Sequence, residues 1–124
     1  MKETGYWTLF IIAGIIIFVL GGVHITVVHL NGVVNLFNPF GSDAMAWNNV
    51  AYRSRSLWFT LGYIVLLGAV LYHGLYGLRT ILMESGLQEN TQRKLTTSLW
   101  VIGIILFFIG TLAASAAKIA ATKL

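Results

Sequence analysis

The chain has 124 residues, of which 57% are hydrophobic and 10% charged, and its mean hydropathy is +0.81. A soluble domain of this size needs far more polar surface, so lipid is the main solvent and one small membrane domain is the limit. Cysteine is absent, which excludes disulfides, iron–sulfur ligation and thiol catalysis and leaves histidine for any metal centre. The net charge of +4 comes from Lys and Arg scattered at the ends of apolar runs. No basic run or face could track nucleic acid, and the charge reads as membrane-surface charge.

The first apolar run, Tyr6 to Leu30, is long enough at 1.5 Å per residue to cross a hydrocarbon core of ~30 Å. It lacks the short apolar region and small-residue cleavage site of a signal peptide, so a mature helix is expected. The segment Asn31 to Ser56 holds the only proline, Pro39, with Asn35, Asn38, Gly41, Ser42, Asp43, Asn48 and Asn49. These residues favour turns, and a long interfacial loop is expected, with Phe37, Trp47 and Tyr52 in the headgroup zone.

The second run, Leu57 to Met83, contains His73 and Arg79. A polar connection, Glu84 to Thr96, leads to the third run, Thr97 to Ala120, whose Gly103, Gly110, Ala114 and Ala117 form a stripe suited to close helix packing. The expected fold is therefore all-α, with three transmembrane helices over residues 6–30, 57–83 and 97–120 in one membrane-anchor domain. Orientation does not follow from charge. Lys2, Arg79, Arg93 and Lys94 fall on one side, and Arg53, Arg55, Lys118 and Lys123 on the other.

Ionisable residues near mid-span are costly and mark function. His73 lies near the middle of the second run, with Ala69 one turn before it and Gly77 one turn after. Residues four apart share a helix face, so the imidazole is flanked by two shallow positions against which a flat macrocycle could lie. On spacing alone, a ligand role and a hydrogen-bonded or proton-relay role both stay open. Arg79, near a helix end, can snorkel to the interface or pair with a carboxylate.

Of the remaining histidines, His29 sits at the end of the first run and reads as solvated. His24 follows Gly21 and Gly22, whose backbone permits close approach. If the helices run antiparallel, helical rise puts His24 and His73 about 15 Å apart in depth, too far to share one iron.

The stretch from His73 to Gly86 resembles the second-helix signature of the small membrane anchor subunits of succinate dehydrogenase and fumarate reductase. The matching positions are His73, Gly77, Leu78, Arg79, Glu84 and Gly86. Length, helix count and loop pattern resemble that family over the whole chain. The resemblance implies that His73 is an axial ligand of a b-type haem, the opposite ligand coming from a sister anchor subunit in a shared helical bundle. Arg79 would lie near the haem propionates or on the quinone side, and His24 would either serve a second haem, as in the two-haem relatives, or be a hydrogen-bonded structural histidine. The implied partners are the flavoprotein and iron–sulfur subunits, quinone is the implied substrate, and the chain has no succinate site of its own. The implied location is the cell inner membrane, with the amino terminus and the 84–96 connection facing the cytoplasm.

The chain departs from the family in its quinone residues. Mono-haem anchors carry a serine and an arginine on the first helix and, in the sister chain, a tyrosine just after the acidic residue; here the first helix has no arginine and Ser85 follows Glu84. Two other readings are a haem-free subunit of another respiratory complex and a small ion- or proton-translocating protein using His73 and Arg79.

Overall fold

The computed structural model of the chain describes residues 2–30 and 35–124. Asn31, the first residue of the expected loop, lies outside the described residues. In lipid every backbone N–H and C=O must find its partner within the chain, which makes each apolar run a helix. Helix α1 spans Glu3–His29, α2 Trp47–Arg55, α3 Leu57–Met83 and α4 Glu89–Thr122. Three of them, α1, α3 and α4, are long and apolar enough to cross a membrane.

Three features differ from the sequence expectation. The first is at the amino-terminal end of α4, where residues of the expected polar connection form helix from Glu89 onward. Outside the membrane water can solvate such side chains, and Glu89 pairs with Arg93 one turn on (2.7 Å). The reversal is confined to the short stretch after Met83, where the Ser85 hydroxyl donates to the Leu82 carbonyl and Gly86 takes a positive φ of 77°.

The second is α2, which lies inside the segment expected to be loop. Its Asn49 serves as a core residue of the segment. Fully buried, Asn49 accepts from the Phe40 amide and donates to the Gly41 and Asp43 carbonyls. The third is a π-helical turn at Ile17–Gly21, which adds one residue to a turn of α1 and rotates everything after it, His24 included.

Helix α3 is central. It packs against α1 on one side and α4 on the other, while the backbones of α1 and α4 do not come within 8 Å of each other. Burial of apolar surface does not drive association in lipid, so close contact does. Gly110 admits the Leu67 side chain, and a Cβ on Gly103 would lie 2.8 Å from Leu75 Cδ1. Outward-facing side chains such as Phe18, Trp58, Ile104 and Phe108 are exposed, as lipid-facing or subunit-facing positions should be.

The segment from residue 35 to Ser56 closes over one end of the bundle. Asn38 donates to the Val27 carbonyl at the end of α1 (2.8 Å). Arg53, only 3% exposed, donates to the Asn38 side-chain oxygen, the Ala44 carbonyl and the Tyr63 hydroxyl. It is thus a structural cation inside the cap, and the reading of all the positive charge as membrane-surface charge fails at this residue. Arg55 donates to the Ala121 carbonyl and Lys118 to the Arg55 carbonyl, tying the end of α4 to the cap.

Candidate functional site

His73 is half-buried, and its imidazole points at α1. Nδ1–H donates to the Phe10 carbonyl at 3.0 Å, and the Phe10 ring lies parallel to the imidazole with centroids 4.1 Å apart. The Phe10 carbonyl would otherwise take its bond within α1 alone, and a carbonyl has two acceptor sites. A Cβ on Gly14 would sit 3.1 Å from His73 Cε1, so glycine at this position lets the ring approach α1.

The sequence reading set a flat macrocycle against Gly77, whereas in the structure a side chain of α1 lies there. The shallow position beside His73 holds the Phe10 ring, whose edge would lie 3.3 Å from a Cβ there. With a carbonyl on Nδ1, the neutral ring carries its lone pair on Nε2. This is the tautomer and the kind of orienting bond that metal-ligating histidines use. Among the described residues no three His, Cys, Asp or Glu side chains converge. A metal held here would therefore need a macrocycle or another subunit for its other positions.

His24 is exposed and stands edge-on to Tyr63 of α3, with ring centroids 5.9 Å apart. Tyr63 lies ten positions before His73 on the same helix, about 15 Å of rise. Beside it, a Cβ on Gly22 would meet nothing within 4 Å. His29 is exposed in the last turn of α1.

Arg79 joins all three long helices. Its Nε donates to the Thr96 hydroxyl of α4 (2.9 Å), and Nη1 lies 3.7 Å from Glu3 Oε1 of α1. The same carboxylate oxygen accepts from the Tyr76 hydroxyl (3.0 Å), and one turn earlier Tyr72 donates to the Tyr6 carbonyl (2.7 Å). These groups crown a cleft of about 410 Å³ in the gap between α1 and α4, floored by α3. The cleft runs from Arg79 to Gly68, about 16 Å along the helix axis. Below the polar rim its walls are apolar, formed by Leu71, Leu75, Trp100, Ile104 and Phe107. An amphiphilic ring with a polar edge and an apolar tail matches such a cleft.

The sequence model described as succinate dehydrogenase/fumarate reductase transmembrane subunit matches residues 2–113. The chain belongs to that family. A relative named succinate dehydrogenase hydrophobic membrane anchor subunit, from Thermoplasma acidophilum, is 24% identical over 103 residues, 83% of this chain and 77% of the relative. No solved structure matches. As a succinate dehydrogenase/fumarate reductase anchor, the chain associates with the membrane and with the other subunits of such a complex.

Several residues of this anchor's site are absent from the sequence reading. Phe10 and Gly14 orient His73, while Glu3, Tyr72, Tyr76 and Thr96 surround Arg79. The spacing of Tyr72 and Tyr76, four apart and near one end of the span, is the one local signal that pointed there. The contacts to Glu3 and Phe10 join residues too far apart in sequence for any periodicity to reveal.

Proposed function

We propose that this anchor holds a b-type haem through His73 and offers the α1–α3–α4 cleft to quinone, passing electrons between an iron–sulfur subunit and quinone. The observation that carries the reading is the bond from His73 Nδ1 to the Phe10 carbonyl, which leaves Nε2 as the free, pre-oriented donor. Phe10 stacking removes ring rotation, so little freedom is lost when Nε2 takes up a metal. A sister anchor subunit would supply the other protein ligand of that haem. When bound, the haem supplies one-electron transfer within the membrane. The chain's own residues hold the imidazole, with Phe10 stacked on it and Gly14 admitting it to α1, and present hydroxyl and guanidinium donors at the cleft rim. A flavoprotein subunit and the iron–sulfur subunit complete the complex in the cell inner membrane, where the end bearing Glu3 and Gly86 faces the cytoplasm.

His24 is the ligand of a second haem nearer the opposite face. The open space beside Gly22 and the offset of about 15 Å from His73 support this assignment.

The test is the haem-to-flavin ratio and the reduced-minus-oxidised spectrum of the purified complex. His73→Leu is expected to remove one b-type signal and His24→Leu a second. Full haem content in His73→Leu overturns the main assignment, and a ratio unaffected by His24→Leu overturns the second. Orientation is checked separately: Ser42→Cys should label only from the outside in a chain with no native cysteine.

A further inference from the structure

The cleft has a neighbour. A second recess of about 630 Å³ opens at the water-side end between α1 and α3, reaching Thr4, Thr80, Met83 and Glu84. Three residues line both spaces, and they are Glu3, Tyr76 and Arg79. They form a polar partition with water on one side and an apolar, membrane-depth cleft on the other. Within the partition the bonds run in one chain. Glu3, with its side chain 71% exposed, reaches water, its Oε1 meets the Tyr76 hydroxyl at 3.0 Å, and Tyr76 faces the cleft. Arg79 holds the carboxylate in place while anchored to Thr96.

From this arrangement we infer that Glu3 and Tyr76 form the proton inlet of the cleft. The inference rests on the quinone reading above and assigns the path by which its protons arrive. Reduction of a quinone to its quinol needs two electrons, from the reduced iron–sulfur centre of the partner subunit, and two protons. The Tyr76 hydroxyl donates to the Glu3 carboxylate in the structure; once Glu3 is protonated from water that bond reverses, and in each pass Glu3 gives its proton to the Tyr76 oxygen. Tyr76 gives its phenolic proton to a quinone oxygen, and the Glu3 carboxylate is then reprotonated from the recess. One O–H bond breaks and one forms at Tyr76, so the tyrosine ends as it began, and two passes convert both quinone carbonyls to hydroxyls.

The charged and titratable groups around Glu3 are Arg79, Tyr72 and Tyr76 of α3, Glu84 just after it, Lys2 just before α1, and Tyr6 of α1. No charged side chain of α4 lines either space. Glu3 is therefore the one carboxylate that touches both the recess and the cleft hydroxyls. Tyr76 touches the reacting oxygen, and Glu3 acts through it as a relay.

The experiment uses the assembled complex in membranes, with rates taken per flavin. Succinate-driven reduction of a decyl-benzoquinone is compared with reduction of a water-soluble dye that bypasses the membrane subunits. In Glu3→Gln and in Tyr76→Phe the quinone rate should fall about tenfold or more while the dye rate stays. In Glu3→Gln the quinone rate should also fall as pH rises from about 6 to 8, where the wild type is flat, and imidazole buffer should restore it. The double variant should be no slower than either single one, because the two act in series. A wild-type quinone rate in Glu3→Gln overturns the inlet. So does a slowed rate that keeps the wild-type pH profile and ignores imidazole, since Glu3 would then only shape the cleft. An azido-benzoquinone that labels the cleft peptides in wild type and Glu3→Gln alike upholds the quinone reading independently. Absence of that label in the wild type overturns the reading together with the inlet.

Discussion

The two ends of the bundle use similar residues to opposite effect. At the cap end Arg53 is buried and surrounded by neutral acceptors, the Asn38 side chain, the Ala44 carbonyl and the Tyr63 hydroxyl. At the other end Arg79 is partly exposed and shares Glu3 with Tyr76 beside an open cleft. A buried guanidinium with each of its three nitrogens bonded inside the cap is held for structure, and its loss strands every acceptor it served. A guanidinium at a wet rim contributes little to stability, and its neighbours stay free to exchange partners. The cap is fastened by buried bonds, whereas the opposite end is open and partly solvated.

That contrast can be broken by substitution. The largest effect is expected for Arg53→Met, which leaves three acceptors unserved and removes charge-assisted bonds, at a cost of about 3 kcal/mol or more. Opening is read at Ala44→Cys, buried in the cap of a chain that has no other cysteine. The thiol should be protected in the wild-type background and react rapidly beside Arg53→Met. Protection in both would mean that Arg53 does not hold the cap.

Asn49→Ala removes neutral bonds to Phe40, Gly41 and Asp43 and should cost about 2 kcal/mol, with intermediate labelling at the same probe. The smallest effect belongs to the open end. Arg79→Gln should lower the stability of the complex by less than about 1 kcal/mol, because the pair with Glu3 is long and solvent-screened. A thermal shift as large as that of Arg53→Met would erase the distinction between the two ends.

The sequence was most legible where lipid imposed the rule. The second span runs over Leu57–Met83 in both the sequence reading and the structure, because its apolar run begins and ends sharply. The third helix starts earlier than its apolar run, since Glu89 to Thr96 are mostly polar yet continue the helix. Helix α2 was hidden by its asparagines, which suggest turns until Asn49 is seen bonded to carbonyls of the preceding residues. At the candidate site His73 and Arg79 were visible as ionisable residues in an apolar run. Their partners were not, because Phe10 and Glu3 are ordinary residues at the start of another helix.

Sequence by itself determined that this chain has three helices long and apolar enough to cross a membrane, and which ionisable residues fall within their apolar runs. It could do so because a bilayer forces each span to satisfy its own backbone locally, leaving hydropathy and length as sufficient signs. Tertiary structure alone decided that His73 faces Phe10 and Gly14, that Arg53 is sealed in a cap, and that Glu3 reaches Tyr76 and Arg79. In lipid no hydrophobic force picks the packed face of a helix. That choice falls to a few close approaches and hydrogen bonds between distant segments, which local pattern does not encode.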